Sequence, residues 1–158
     1  MGGVIAAEQP VPMARLLAMS YRLMIDGLHS RLPAAGFTDV RPAYGFVLLA
    51  TRGSGTTTVE LAKLLGVTKQ AASKLLGAME ASGYVRRSTD ATDGRIRNIE
   101  LAERGEQLLG AVESIYAELE QQWAEVIGVP AIEQIRTDLS NILLAANEGQ
   151  FPKIRPTP

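Results

Sequence analysis

A change of repeat at Gly83 constrains this chain more than any other feature. From Thr68 onward, Ala72, Leu75, Leu76 and Met79 recur at i, i+3, i+4 and i+7, the spacing of one face of an α-helix. Beyond Gly83 come two short runs suited to strands, Tyr84–Ser88 and Ile96–Leu101, with the polar turn sequence TDATDGR between them. Glycine reaches the left-handed backbone conformation that ends a helix without steric cost, so Gly83 is expected to close the helix and release the chain into a hairpin. Thr68 is the expected N-cap, its hydroxyl taking an amide that the first turn leaves free. Gln70, Ser73, Lys74 and Gly77 repeat the helical spacing on a second face, so one side packs and the other stays open.

The segment upstream supplies a partner helix. Thr57 followed by Glu60 has the form of a capping box, and Leu61, Ala62, Leu64 and Leu65 continue a short helix to Gly66. Before it, Arg41–Arg52 carries Pro42 in a first-turn position and an apolar Phe46-Val47-Leu48-Leu49 run, a short buried helix. The connecting RGSGTTT lacks both a Gly-Lys-Ser/Thr ending and a preceding strand, so it is read as a turn and not as a phosphate loop. Longer amphipathic helices flank this centre. One lies between Pro10 and Leu32, closed by Pro33. A second runs from about Ala102 to Ile127 with Leu108, Val112, Ile115, Leu119, Trp123 and Val126 in its seam. A third covers about Ala131 to Asn147 with Ile132, Ile135, Leu139, Ile142 and Leu143. The expected fold is mainly α with a small β-hairpin (α+β). It is a single domain over 1–158, with a winged helix-turn-helix at 41–101 and outer helices at 10–33 and 102–147.

Charge is distributed to match. The chain's net charge is −1, but Lys63 to Arg97 holds seven basic residues (Lys63, Lys69, Lys74, Arg86, Arg87, Arg95, Arg97) against Glu80, Asp90 and Asp93, a local balance of +4 that leaves −5 elsewhere. Glu100 to Glu125 contains seven glutamates and one basic residue, Arg104. A helix presenting hydroxyl, amide and ammonium groups fits a DNA major groove, and an adjacent arginine-bearing hairpin can follow the backbone or enter the minor groove. Thr68, Lys69, Gln70, Ser73 and Lys74 are therefore the expected groove-facing residues, with Gln70 and Ser73 nearest the bases and the lysines on phosphate. Arg86, Arg87 and Arg97 alternate along the strands, so only some of them can face DNA.

The stretch TVELAKLLGVTKQAASKLLGAMEASGYVRRSTDATDGRIRNIELAERG resembles the multiple antibiotic resistance regulator (MarR) family of bacterial transcription factors. That family's wing pattern, Asp-Pro-x-Asp-Arg-Arg, matches here at Asp90, Asp93 and Arg95, while Ala91 and Gly94 depart from it. Its following Leu-Thr-x-x-Gly is here Leu101-Ala102-Glu103-Arg104-Gly105, which loses the threonine cap. The resemblance implies that Arg95 contacts DNA at the wing tip with Asp93 orienting it, that first and last helices of two subunits interlock into a homodimer, and that the long helix from Ala102 joins this base to the DNA-reading lobe. It further implies a repressor binding a pseudo-palindromic operator in double-stranded DNA and released by a small aromatic or phenolic effector. Tyr21, His29, Tyr44, Phe46 and Tyr116 are the candidate ligand contacts. The same outer helices also suit a two-fold dimer on physical grounds, because a helix-turn-helix alone gives their apolar seams nothing to cover; packing within the chain is the alternative.

Several functions are excluded by composition. The chain has no Cys and a single His29, which removes thiol chemistry, Cys-ligated zinc and His-based triads, so neither a metal site nor a cofactor is expected. No nucleophile–base pair or nucleotide loop is present, so an enzyme is not expected. No apolar run approaches the roughly 20 residues a membrane helix needs, and MGGVIAAEQPVP has no basic region ahead of an apolar core, so a cytoplasmic protein is expected. The alternative function is a winged helix used only for protein contact, against which the local +4 argues.

Overall fold

The computed structural model describes residues 9–89 and 97–156. In chain order it contains α1 (Met13–Arg31), a 3-10 turn at Pro33–Ala35, α2 (Pro42–Thr51), β1 (Thr56–Thr57), α3 (Thr58–Leu65), α4 (Lys69–Ala81), β2 (Val85–Thr89), β3 (Arg97–Leu101), α5 (Glu103–Ile127) and α6 (Val129–Ala146). The protein is mostly helical, with one small antiparallel sheet whose strands lie in the order β1-β3-β2. This is the winged helix-turn-helix with flanking helices expected from the sequence.

Local chemistry sets the boundaries. The Thr57 hydroxyl accepts the Glu60 amide at 3.2 Å while Glu60 Oε2 accepts the Thr57 amide at 2.9 Å, the reciprocal capping box that starts α3. Thr68 Oγ1 accepts the Ala71 amide at 3.1 Å and starts α4. At the other end of α4, Gly83 takes φ 79°. The Gly83 and Tyr84 amides then donate back to Glu80 O and Met79 O at 3.0 and 2.9 Å. Because the Tyr84 amide is committed to this closure, β2 begins at Val85, one residue later than the pattern suggested. β1 was not expected. Thr57 must be extended to cap α3, and that conformation lets Thr56–Thr57 pair with Ile99 and Asn98 of β3. The last helix starts at Val129, two residues early, since Pro130 falls in the first turn, where a missing N–H costs nothing.

The core gathers around Tyr84, whose side chain is completely buried. Its ring lies 5.8 Å edge-on from Tyr44 and 6.4 Å from Phe37. Its hydroxyl donates to Asp39, and the Arg104 guanidinium stands 5.2 Å from its centroid. The Tyr84 hydrogen bond is the main reason the Asp39 carboxyl is held below its ordinary pKa; the Tyr84 phenol is pushed up, first by burial and then by that same bond. α5 docks here without an intervening side chain. A Cβ on Gly105 would lie 2.0 Å from the Tyr84 carbonyl oxygen, the acceptor of the Ala102 amide at 3.0 Å. Ala102 provides no side-chain cap; carboxylates of Glu103 and Glu106 in the first turn face the positive end of the helix instead.

The outer helices behave differently. In α5, Leu108, Ile115 and Leu119 are buried and Val112 packs at the margin of the core, while Val126 projects into solvent. None of the residues of α6 is buried. Ile135, Leu139, Ile142 and Leu143 are exposed, as are Leu16, Leu17, Met19 and Leu23 of α1, with Ile142 at 62% and Leu23 at 64% exposure. The α6 seam thus finds no complete cover within its own chain.

Candidate nucleic-acid interface

α3 and α4 pack against each other, and α4 turns its two faces as the sequence pattern requires. Ala72, Leu76 and Met79 are buried, whereas Thr68, Lys69, Gln70 and Lys74 are exposed and Ser73 is half-buried. The open face contains the first turn and a half of the helix. Hydroxyl, amide and ammonium groups therefore stand together at the end where unpaired backbone amides also favour an anion.

The hairpin divides its arginines. Register pairs Arg86 with Glu100 and Arg87 with Ile99, so the two arginines project from opposite faces of the sheet. Arg86 Nε donates to Glu100 Oε2 at 3.2 Å, and the Ser88 hydroxyl donates to the other oxygen of that carboxylate at 3.1 Å. Arg87 points back toward α4. Its Nε lies 3.2 Å from Glu80 Oε2, an ion-pair distance without hydrogen-bond alignment, and its Nη2 donates to Ser73 O at 3.5 Å. Both arginines are thus charge-paired within the chain. Arg97 pairs through its backbone with Thr89. Asp90, Asp93 and Arg95 lie outside the described residues.

A second feature lies between α1, α2 and α5. It is a cavity of about 230 Å³ with largely apolar walls, and Tyr21, His29, Phe46 and Tyr116 line it. Tyr44 does not. Helical geometry carries it to the opposite side of α2, where it is buried against Tyr84. Burial and the neighbouring Tyr21 raise the Tyr116 phenol above its ordinary pKa, so it remains a neutral hydrogen-bond donor. Other lining residues were not among the sequence candidates, and two of them come from unexpected places. Arg41, the residue before α2, lines the cavity, and Ile154 arrives from the segment beyond α6, which no local pattern connects to this site. Among the described residues there is no cluster of His, Asp and Glu that could hold a metal, and no helix long and apolar enough to cross a membrane.

Proteins of known structure share this fold. The sequence profile of the MarR family matches residues 38–96, from just ahead of α2 to the residue before β3. The structure of MepR from Staphylococcus aureus, a transcription regulator of the multidrug efflux pump MepA, superposes with a TM-score of 0.65 at 26% identity, covering 87% of this chain and 100% of that one. A mutant of MepR bound to an oligodeoxyribonucleotide matches with a TM-score of 0.59 at 26% identity over 87% and 100% of the two chains. A transcriptional regulator from Thermotoga maritima gives a TM-score of 0.70 at 22% identity, over 88% and 98%, a likeness of fold. The family profile falls on the segment from α2 through β2, and the structural likeness to MepR extends through the flanking helices: the central lobe of this chain resembles the MarR family in sequence, and the chain as a whole shares the fold of a transcription regulator.

Proposed function

We propose that this protein is a homodimeric, sequence-specific DNA-binding regulator, most simply a repressor, whose hold on a pseudo-palindromic operator is released by a small aromatic ligand. The observation that carries the reading is the open face of α4. The side chains of Lys69, Gln70 and Lys74 have no intramolecular partner among the described contacts, Thr68 caps the helix with its hydroxyl, and all four are exposed beside a hairpin. Gln70 and Ser73 read base edges, while Lys69 and Lys74 neutralise phosphate. The wing tip, with Asp93 and Arg95, follows the adjacent backbone or minor groove. Support for DNA as partner comes from the MepR mutant bound to an oligodeoxyribonucleotide.

The exposed seams of α1 and α6 support the dimer, because apolar faces of this extent on both terminal helices are covered when two copies interlock. The cavity supports the ligand. It has the volume of a small aromatic molecule, and tyrosine and phenylalanine side chains among its lining residues. A MepR structure at 27% identity was solved with ethidium bromide bound. Fragments selected from random DNA by the purified protein, then assayed by mobility shift at rising salt, test the reading. A shared inverted repeat with half-sites about 34–36 Å apart is expected, bound far more tightly than random sequence. Equal binding to every fragment would refute sequence recognition. Gln70→Ala should relax preference at particular positions by ~1–3 kcal/mol, and Lys69→Ala should weaken all sequences more evenly.

A further inference from the structure

We infer that Arg87 and Glu80 form a clamp that sets the wing's position against the reading helix, so that Arg87 serves DNA recognition as a positioning residue and not as a DNA contact. The inference rests on the DNA-binding reading above and assigns a role to a pair within it. Arg87 sits opposite the fully buried Ile99, on the inner face of the sheet, and its side chain is only 24% exposed. From there it reaches two points on α4 that lie on one stripe, Ser73 and Glu80, seven residues apart: Nη2 meets the Ser73 carbonyl at 3.5 Å and Nε stands 3.2 Å from the Glu80 carboxylate. One planar guanidinium thus joins the middle of β2 to two turns of α4. Ser73 is also the residue whose hydroxyl is offered to bases, so the clamp holds the hairpin to the reading surface itself.

The charge consequence is specific. Glu80 offsets Arg87 locally, and Glu100 offsets Arg86, so neither arginine lends its full charge to a polyanion. A clamp and a phosphate contact then predict opposite effects for loss of the acid. If Arg87 binds phosphate, Glu80 competes with DNA for it, and Glu80→Gln must tighten binding. If Arg87 is a clamp, Glu80→Gln must loosen it, although the change removes a negative charge from a DNA-facing lobe.

The experiment measures operator affinity at four salt concentrations for the full-length wild type, Arg87→Ala, Glu80→Gln and the double variant, using a fragment selected by the wild type. Expected are losses of about tenfold for each single variant in a dimer that carries two clamps, and a double variant no weaker than Arg87→Ala. The dependence of log K on log salt should keep its wild-type slope in all four, because no phosphate contact has gone. A slope shallower by roughly 1.8 in Arg87→Ala, or tighter binding by Glu80→Gln, would overturn the clamp. Glu80→Gln conserves size at an exposed site, so the sign of its effect decides the matter even if Arg87→Ala folds poorly. A wild type that binds no fragment would take down the DNA-binding reading and the clamp together, and is told apart from the other outcomes before any variant is compared.

Discussion

Replacing Gly105 with alanine should destabilise this protein even though alanine is the better helix former. The added Cβ would lie 2.0 Å from the Tyr84 carbonyl oxygen, 3.1 Å from its carbon and 3.2 Å from Leu101 Cδ2. Two of these are backbone atoms, and they cannot rotate away. The start of α5 must retreat by more than an ångström, which stretches the 3.0 Å bond from the Ala102 amide to the same oxygen and loosens Arg104 from the rings it covers. Overpacking against unyielding atoms costs up to ~3 kcal/mol, and a weakened hydrogen bond adds ~1 kcal/mol. The propensity gain of alanine over glycine returns ~1 kcal/mol. The net loss is about 3 kcal/mol, a fall in Tm of roughly 6–12 °C for a chain of this size. Gly77→Ala is the control, since its Cβ would meet nothing within 4 Å in the interior of α4 and should raise Tm by a few degrees. Thermal and urea melts of both variants decide it. An unchanged or raised Tm in Gly105→Ala would refute the backbone-to-backbone docking of α5.

Asp39 gives a pH test: its folded pKa is depressed, so its contribution is complete above the unfolded carboxyl value near pH ~4 and is lost as pH falls through the lower folded value. Asp39→Asn should therefore melt below wild type at pH 7, with the gap closing toward pH ~2; a pH-independent gap would contradict the sign. Ile142→Glu places a charge on the exposed α6 seam and should halve the mass seen by light scattering while leaving helix content unchanged, whereas a persistent dimer would locate the interface elsewhere. Arg95→Ala should make the salt slope of operator binding shallower by roughly 1.8 for a dimer with two wing contacts and shift stability by less than ~0.5 kcal/mol, and unchanged affinity and slope would remove the wing tip from the interface.

The helix-turn-helix was legible in the sequence because its signals are local. The Thr57–Glu60 box, the Thr68 cap and Gly83 each act within one turn, so their residue types announce the structure they make. The amphipathic split of α4 was equally plain, since burial on one face requires the period that the sequence shows. What sequence could not give was the pairing of side chains distant along the chain. Alternation places Arg86 and Arg87 on opposite faces, but nothing local says that Glu100 and Glu80 await them. Tyr44 was misplaced for a related reason: the aromatic residues of α2 look equivalent in sequence, and only the position of Tyr84 draws Tyr44 into the core while Phe46 turns to the cavity. Ile154 reaches that cavity from the segment after α6, and β1 exists only because β3 lies beside Thr56.

The contact at Gly105 has a mechanical consequence. α5 is a single helix of 25 residues, about 38 Å long, and its first turn meets the head of the hairpin with no compressible side chain between. Such a joint has little play, so the helix works as a stiff shaft and the helix-turn-helix as a head fixed to its end. A tilt of about 5° at the far end of the shaft displaces the head by about 3 Å. In a two-fold pair the heads move in opposite senses, and their separation changes by about 6 Å, nearly two base-pair steps of the duplex. On the proposed reading of a ligand-released dimer, a molecule entering the cavity beside the shaft need only wedge it by that angle to carry both heads out of step with the groove.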